Sequence, residues 1–207
     1  MSTLEQAPPA SNTIPPPTPL APHRFSVEQY HRMIEAGILT TSDRVQLLEG
    51  VILEMTPVGI PHMYAVRGMM RAILRLLPNG WDVAVQQPVR LVASEPEPDL
   101  SVVRGSYLDY HDHHPGPGEI GLVIEVAESA LGLDRGAKAR VYAAAGVPEY
   151  WIVNLIDRQV EIHRDPRTGE SGEPAYQTGE IVPTTGVLKL VLDGRLLGEI
   201  SVASILP

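Results

Sequence analysis

"GLVIEVAES", Gly121–Ser129, puts a carboxylate inside what otherwise reads as a buried strand. Apolar residues run up to Glu125 and resume at Val126 and Ala127. An ionised carboxylate in apolar surroundings is costly unless it is paired. The stretch therefore calls for a cationic neighbour or a bound cation, and it anchors the rest of the chain around one strand.

Downstream, the pattern predicts a helix from about Leu133 to Ala145, stopped by Gly146 and Pro148. "EYWIVN" and "QVEIHR" follow as strands joined through Asp157 and Arg158, and the remainder reads as short strands and turns. Upstream, "PDLSVV" and "WDVAVQQPVRLV" read as strands, with a polar loop from Arg104 to Glu119 before the central strand. From Ile60 to Leu77, Met63, Val66, Met70, Ile73, Leu74 and Leu77 recur at the spacing of an amphipathic helix that ends at Asn79 and Gly80. "RVQLLEGVILEM" reads as a hairpin turning near Glu49 and Gly50. "SVEQYHRMIEAG" reads as a short helix, with Ser26 as N-cap, Gln29 completing a capping box and Gly37 as the stop. Strands interleaved with helices predict an α/β or α+β fold with a mixed central sheet.

Composition narrows the class. The 207 residues, 43% of them hydrophobic, suffice for one sizeable core and one domain, residues 23–207. Met1–Pro22 carries seven of the twenty prolines and reads as an extended, disordered tail. Without cysteine there is no disulfide or thiolate metal site. No apolar run approaches membrane-spanning length and no signal peptide is evident, so the expected location is cytoplasmic. A formal net charge of −9 argues against a surface that grips nucleic acid everywhere, while leaving room for a local basic groove.

The candidate chemistry sits in the middle of the chain. Asp99 follows Pro98 at the mouth of a strand, and Glu125 lies in the next confident strand. If these strands are neighbours, the two carboxylates stand about 5 Å apart. That spacing suits one shared Mg²⁺ or Mn²⁺, which takes oxygen ligands and keeps water and substrate phosphate around it.

Pro98-Asp99, then Glu125-Val126-Ala127, then "DRGAKARVYAAAGVPEYWIVN" resemble the Uma2 (DUF820) group of restriction-endonuclease-like proteins, within the PD-(D/E)XK nuclease superfamily. The resemblance runs from about His23 to the C-terminus. It implies a restriction-endonuclease-like core and a metal-dependent endonuclease acting on DNA. In that superfamily a lysine usually stands two positions after the second acid, where this chain has Ala127. The group resembles the variant in which the lysine sits on the following helix, where Lys138 stands. Glu49 and His62 resemble the group's additional polar positions. A homodimer is implied by the superfamily's habit of cutting two strands with two sites.

Plainer meanings exist for the same residues. Asp134 and Lys138 have the spacing of an exposed helix pair worth about 0.2–0.5 kcal/mol. Asp99 suits a turn after proline, Glu49 a hairpin turn and His62 a helix start. Arg67, Arg71 and Arg75 form a stripe that would suit phosphates, although a solvated helix face is the commoner meaning. The crowded "HDHH" at 111–114 lacks a second ligand cluster for zinc. The function expected is phosphodiester hydrolysis, with Asp99 and Glu125 holding the metal and Lys138 orienting or deprotonating water. The alternatives are a binding module that keeps the nuclease fold without turnover, and a hydrolase of small phosphoesters.

Overall fold

The computed structural model describes residues 21–169 and 172–207. Apart from Ala21 and Pro22, the proline-rich tail lies outside the described residues. Helix α1 (Val27–Glu35) starts where the capping box puts it: Ser26 Oγ accepts from the Gln29 backbone N–H, and the Gln29 side chain accepts from the Ser26 N–H. Strands β1 (Val45–Leu48) and β2 (Val51–Glu54) form the expected hairpin. Its two turn residues, Glu49 and Gly50, both have positive φ (49° and 76°), the backbone of a tight hairpin turn.

Helix α2 (Ile60–Leu74) follows, but the stripe that faces the core differs from the expected one. Ala65, Val66, Met69 and Ile73 are buried with His62, whereas Met63 and Leu74 are about half-exposed, at 48% and 49%. The helix is apolar around much of its circumference, so spacing alone left its rotation open.

Strands β3 (Trp81–Val85), β4 (Leu100–Arg104), β5 (Ile120–Ala127), β6 (Glu149–Asn154), β7 (Gln159–Thr168) and β8 (Pro174–Pro183) form one six-stranded sheet in that order. Only β5 and β6 run parallel, which requires a crossover, and the third helix supplies it. Its ends, Leu131–Leu133 and Ala139–Ala144, are α-helical, and Asp134–Lys138 between them forms one π-helical turn. Strands β9 (Val187–Leu192) and β10 (Arg195–Ser201) make a separate hairpin. The strand expected from "WDVAVQQPVRLV" stops at Val85, because Gln86 takes a left-handed backbone (φ 49°) and Pro88 has no N–H to donate.

All eight residues of β5 are buried, because both faces of the sheet are covered. Leu122, Ile124 and Val126 pack with α2 and the β9–β10 hairpin, while Val123 and Ala127 pack with Val141 and Tyr142 of the third helix. Alternation along the strand thus puts Glu125 on the third-helix side. Gly121 is required at the start of β5, since a Cβ there would come within 2.6 Å of the Trp81 ring. The result is a mixed α+β fold with a central mixed sheet flanked by helices. Among the described residues no helix is long and apolar enough to cross a membrane.

Candidate active site

Antiparallel pairing of β4 with β5, with Leu100 opposite Ile124, carries Asp99 and Glu125 to the same end of neighbouring strands. Both are buried. Asp99 Oδ2 accepts from the Val126 backbone N–H at 2.8 Å and lies 3.0 Å from His62 Nε2, which the first turn of α2 turns inward. The Asp99 carboxylate is thereby tied to β5 and α2 at once. Gln86 adds to this hold: its left-handed backbone lets its N–H reach the Asp99 carbonyl at 3.1 Å and its amide nitrogen Asp99 Oδ1 at 3.5 Å.

Glu125 is held from the third helix. Lys138 Nζ is 2.8 Å from Glu125 Oε2, and the Tyr142 hydroxyl donates to Oε1 at 2.7 Å. Asp134 lies 3.5 Å from the same ammonium. Asp134 and Lys138 are therefore not an exposed helix pair: both are buried, and the closer partner of Lys138 is Glu125. Ala127, where the superfamily lysine would stand, is fully buried beside Tyr142 and Val141.

Electrostatics follow from this crowding. Burial raises the pKa of Glu125 from 4.5 to about 7; Lys138 opposes the shift, and the nearby Asp134 and Asp99 charges reinforce it. Burial raises Asp134 likewise. For Lys138 burial works against the charge, but Glu125 and Asp134 outweigh it, so its pKa rises and the ammonium keeps its proton. For His62 burial is again opposed, and overcome, by the Asp99 hydrogen bond and charge. Burial drives the Tyr142 phenol far up, keeping it a donor. One lysine thus faces three buried carboxylates.

A pH dependence follows for the metal-free protein. Folded Glu125 keeps its proton up to about pH 7, whereas the unfolded carboxyl releases it near 4.5. Its contribution to stability is fully present below the lower value and is lost as pH rises through the upper one. The melting temperature is expected to fall between about pH 5 and pH 8, and Glu125→Gln should flatten that slope. An unchanged slope in the variant would place the titration elsewhere.

The residues present fit a divalent ion in chemistry: buried, oxygen-only donors, an excess of negative charge, and Asp134 Oδ1 buried with no hydrogen-bond partner beyond the 3.5 Å approach of Lys138 Nζ. Among the described residues no group of three or more His, Asp or Glu side chains is arranged to hold a metal. The pair Asp99 and Glu125, completed by water and phosphate, is the set that suits Mg²⁺ or Mn²⁺. The two carboxylates, His62 and Lys138 open onto a cleft of about 560 Å³ whose far wall is the β1–β2 hairpin.

Of the residues singled out in the sequence, Asp99, Glu125, Lys138 and His62 come together here. Glu49 does not line the cleft; its carboxylate is gripped by Arg140 through two bonds of 3.0 Å, tying the hairpin turn to the third helix. Arg67 and Arg71 on α2, and Arg75 at its C-cap, lie exposed and face a different groove. Tyr142, Asp134 and Gln86 were missed as site residues. The four-residue repeat Asp134, Lys138, Tyr142 was the available signal for two of them, since such residues share a helix face.

The model of the Uma2 family, described as "Putative restriction endonuclease", matches residues 27–194. A crystal structure from Anabaena variabilis, described as "a putative nuclease belonging to DUF820", superposes with a TM-score of 0.63 at 11% identity, covering 87% of this chain and 97% of that one. At that identity the likeness is one of fold. No curated protein matches the chain. Since the family match spans both strands that carry the carboxylates and the helix that carries the lysine, the chain belongs to the Uma2 (DUF820) family of restriction-endonuclease-like proteins.

Proposed function

We propose that this protein is a metal-dependent endonuclease that hydrolyses phosphodiester bonds in DNA. The observation that carries the proposal is the buried constellation of Asp99 and Glu125 on neighbouring strands, with Lys138 Nζ 2.8 Å from Glu125. Family membership and the nuclease descriptions of the family and of the solved relative support it. Asp99 and Glu125 would hold Mg²⁺ or Mn²⁺, which would supply an acidified water and offset charge on the phosphate. Lys138 keeps its proton, so it orients the attacking water and stabilises developing negative charge as a fixed cation rather than acting as the base. Tyr142 fixes the Glu125 carboxylate, and His62 fixes Asp99. Glu49 acts at a distance, through Arg140 on the lysine-bearing helix.

A second reading has its own support. Both Glu125 oxygens are already satisfied within the chain, by Lys138 and Tyr142, as they would be in a binding module without turnover. Incubating the protein with supercoiled plasmid and millimolar Mg²⁺ or Mn²⁺ separates the two. Nicking that is abolished by chelation is expected of the enzyme. Intact plasmid, together with no calorimetric signal for either ion, would favour the module.

A further inference from the structure

We infer that the outward face of α2 is a docking surface for single-stranded nucleic acid, leading unpaired nucleotides to the cleft; this rests on the nuclease reading above. The face combines two features that such ligands require: unopposed positive charge and exposed stacking surface.

Charge is the first feature. Arg67, Arg71 and Arg75 stand four residues apart and exposed, so the stripe extends about 12 Å along the helix. Among the described residues none of the three forms an ion pair; Arg24, Arg32, Arg44, Arg158 and Arg195 form none either, but they do not line up on one helix face. On a chain of net charge −9, three free guanidinium groups in a row are a local inversion of sign. The cleft offers the reverse. Asp43, Glu54, Glu97 and Glu128 add to the three carboxylates at its floor, against Arg44 and Lys138. A run of phosphates is therefore repelled by the cleft walls and must be held outside them, and α2 is where the charge complements it.

Shape is the second. The arginines border a groove of about 460 Å³ floored by Gly68 and Ala72. A Cβ at Gly68 would lie 3.4 Å from the backbone of Ile205, so α2 packs closely on the C-terminal segment there. At one end stands Tyr64, 54% exposed, a face on which a base can stack. Two residues earlier on the same turn His62 points inward to Asp99, and Gly59, the N-cap, donates to Glu128 at the cleft rim at 3.2 Å. The first turn of α2 thus borders the cleft on one side, through His62, and the groove on the other, through Ile60, Met63 and Tyr64. A duplex would present phosphates to the arginines but no unstacked base to Tyr64, which is why the surface favours unpaired strands.

The test is fluorescence anisotropy of the full chain with a labelled 12-mer of dT and a labelled 12-base-pair duplex, in EDTA and at several salt concentrations. The parent is expected to bind the single strand more tightly. Replacing Arg67, Arg71 and Arg75 together with Gln should weaken binding and reduce the salt slope by about 2, at roughly 0.7 per lost phosphate contact. Tyr64→Ala should weaken single-strand binding roughly tenfold and leave duplex binding unchanged. All four positions are exposed, and unchanged melting temperatures will show that the variants fold. Parent-like binding by both variants overturns this inference and leaves the nuclease reading standing. So does a triple variant whose only defect is dissociation of a homodimer in sedimentation. No binding by the parent also overturns it; if cleavage is absent as well, the nuclease reading falls with it.

Discussion

Lys138→Ala is expected to slow metal-dependent cleavage by about 10²- to 10⁴-fold, the range for a lost proton-handling or electrostatic group. Divalent-ion binding should survive. The ammonium is 2.8 Å from Glu125 Oε2 and 3.5 Å from Asp134, so its removal deprives two buried carboxylates of the cation that pairs with both. Breaking a buried pair by removing one partner typically costs about 3–5 kcal/mol. Glu125 can escape part of that cost by keeping its proton, because its pKa already stands at about 7 with the lysine present. The variant should therefore fold in metal-free buffer and lose stability most steeply above neutral pH. A divalent ion should restore stability without restoring the rate. Single-turnover cleavage at saturating Mn²⁺, run beside calorimetric titration, checks both arms. If the variant cleaves like the parent, Lys138 serves only to neutralise Glu125.

Asp99→Asn should behave differently, losing cleavage and metal binding together. The amide is nearly isosteric, and its oxygen can still accept from the Val126 N–H that the carboxylate now engages at 2.8 Å. The fold should persist while one of the two charged oxygen ligands is gone. In the parent, a divalent ion at a hundred times its dissociation constant is expected to stabilise the folded state by about 2.7 kcal/mol. In the variant that gain should vanish. The pKa of His62, raised mainly by its bond and charge contact with Asp99 against burial, should fall as well, which NMR titration of the imidazole would follow. A thermal shift with Mn²⁺ that survives Asp99→Asn would remove Asp99 from the metal site.

The parts of this architecture that depend on neighbours in sequence were legible before the structure. Ser26 and Gln29 specify a helix start by a bond between residues three apart, and Glu49-Gly50 specifies a turn by the conformations it demands. Asp99 and Glu125 could be paired because each sits at a readable place on a strand, and antiparallel register does the rest. What could not be read depends on distant partners. The rotation of α2 was misjudged because apolar residues lie on several of its sides. The third helix contributes Tyr142 to the site through a bond spanning seventeen residues, and "ARVYAA" alone does not distinguish that tyrosine from an ordinary core residue; only its four-residue spacing from Lys138 hints at a shared face. Gln86 is aimed at Asp99 by a backbone conformation that no local pattern announces, although Pro88 does explain why the strand ends before it.

The π-helical turn at Asp134–Lys138 is an α-helix carrying one residue more than its length needs. Tyr142 fixes the downstream half against β5, and Asp134 and Lys138 both stay on the buried side of the widened turn. A π turn closes i→i+5 rather than i→i+4, so the wider turn takes up the extra residue within itself. An insertion of this kind changes which side chains look inward without altering a strand, a loop length or the hydrophobic pattern. Deleting one residue from this turn should therefore keep the fold and the strand carboxylates while shifting Asp134 against the lysine.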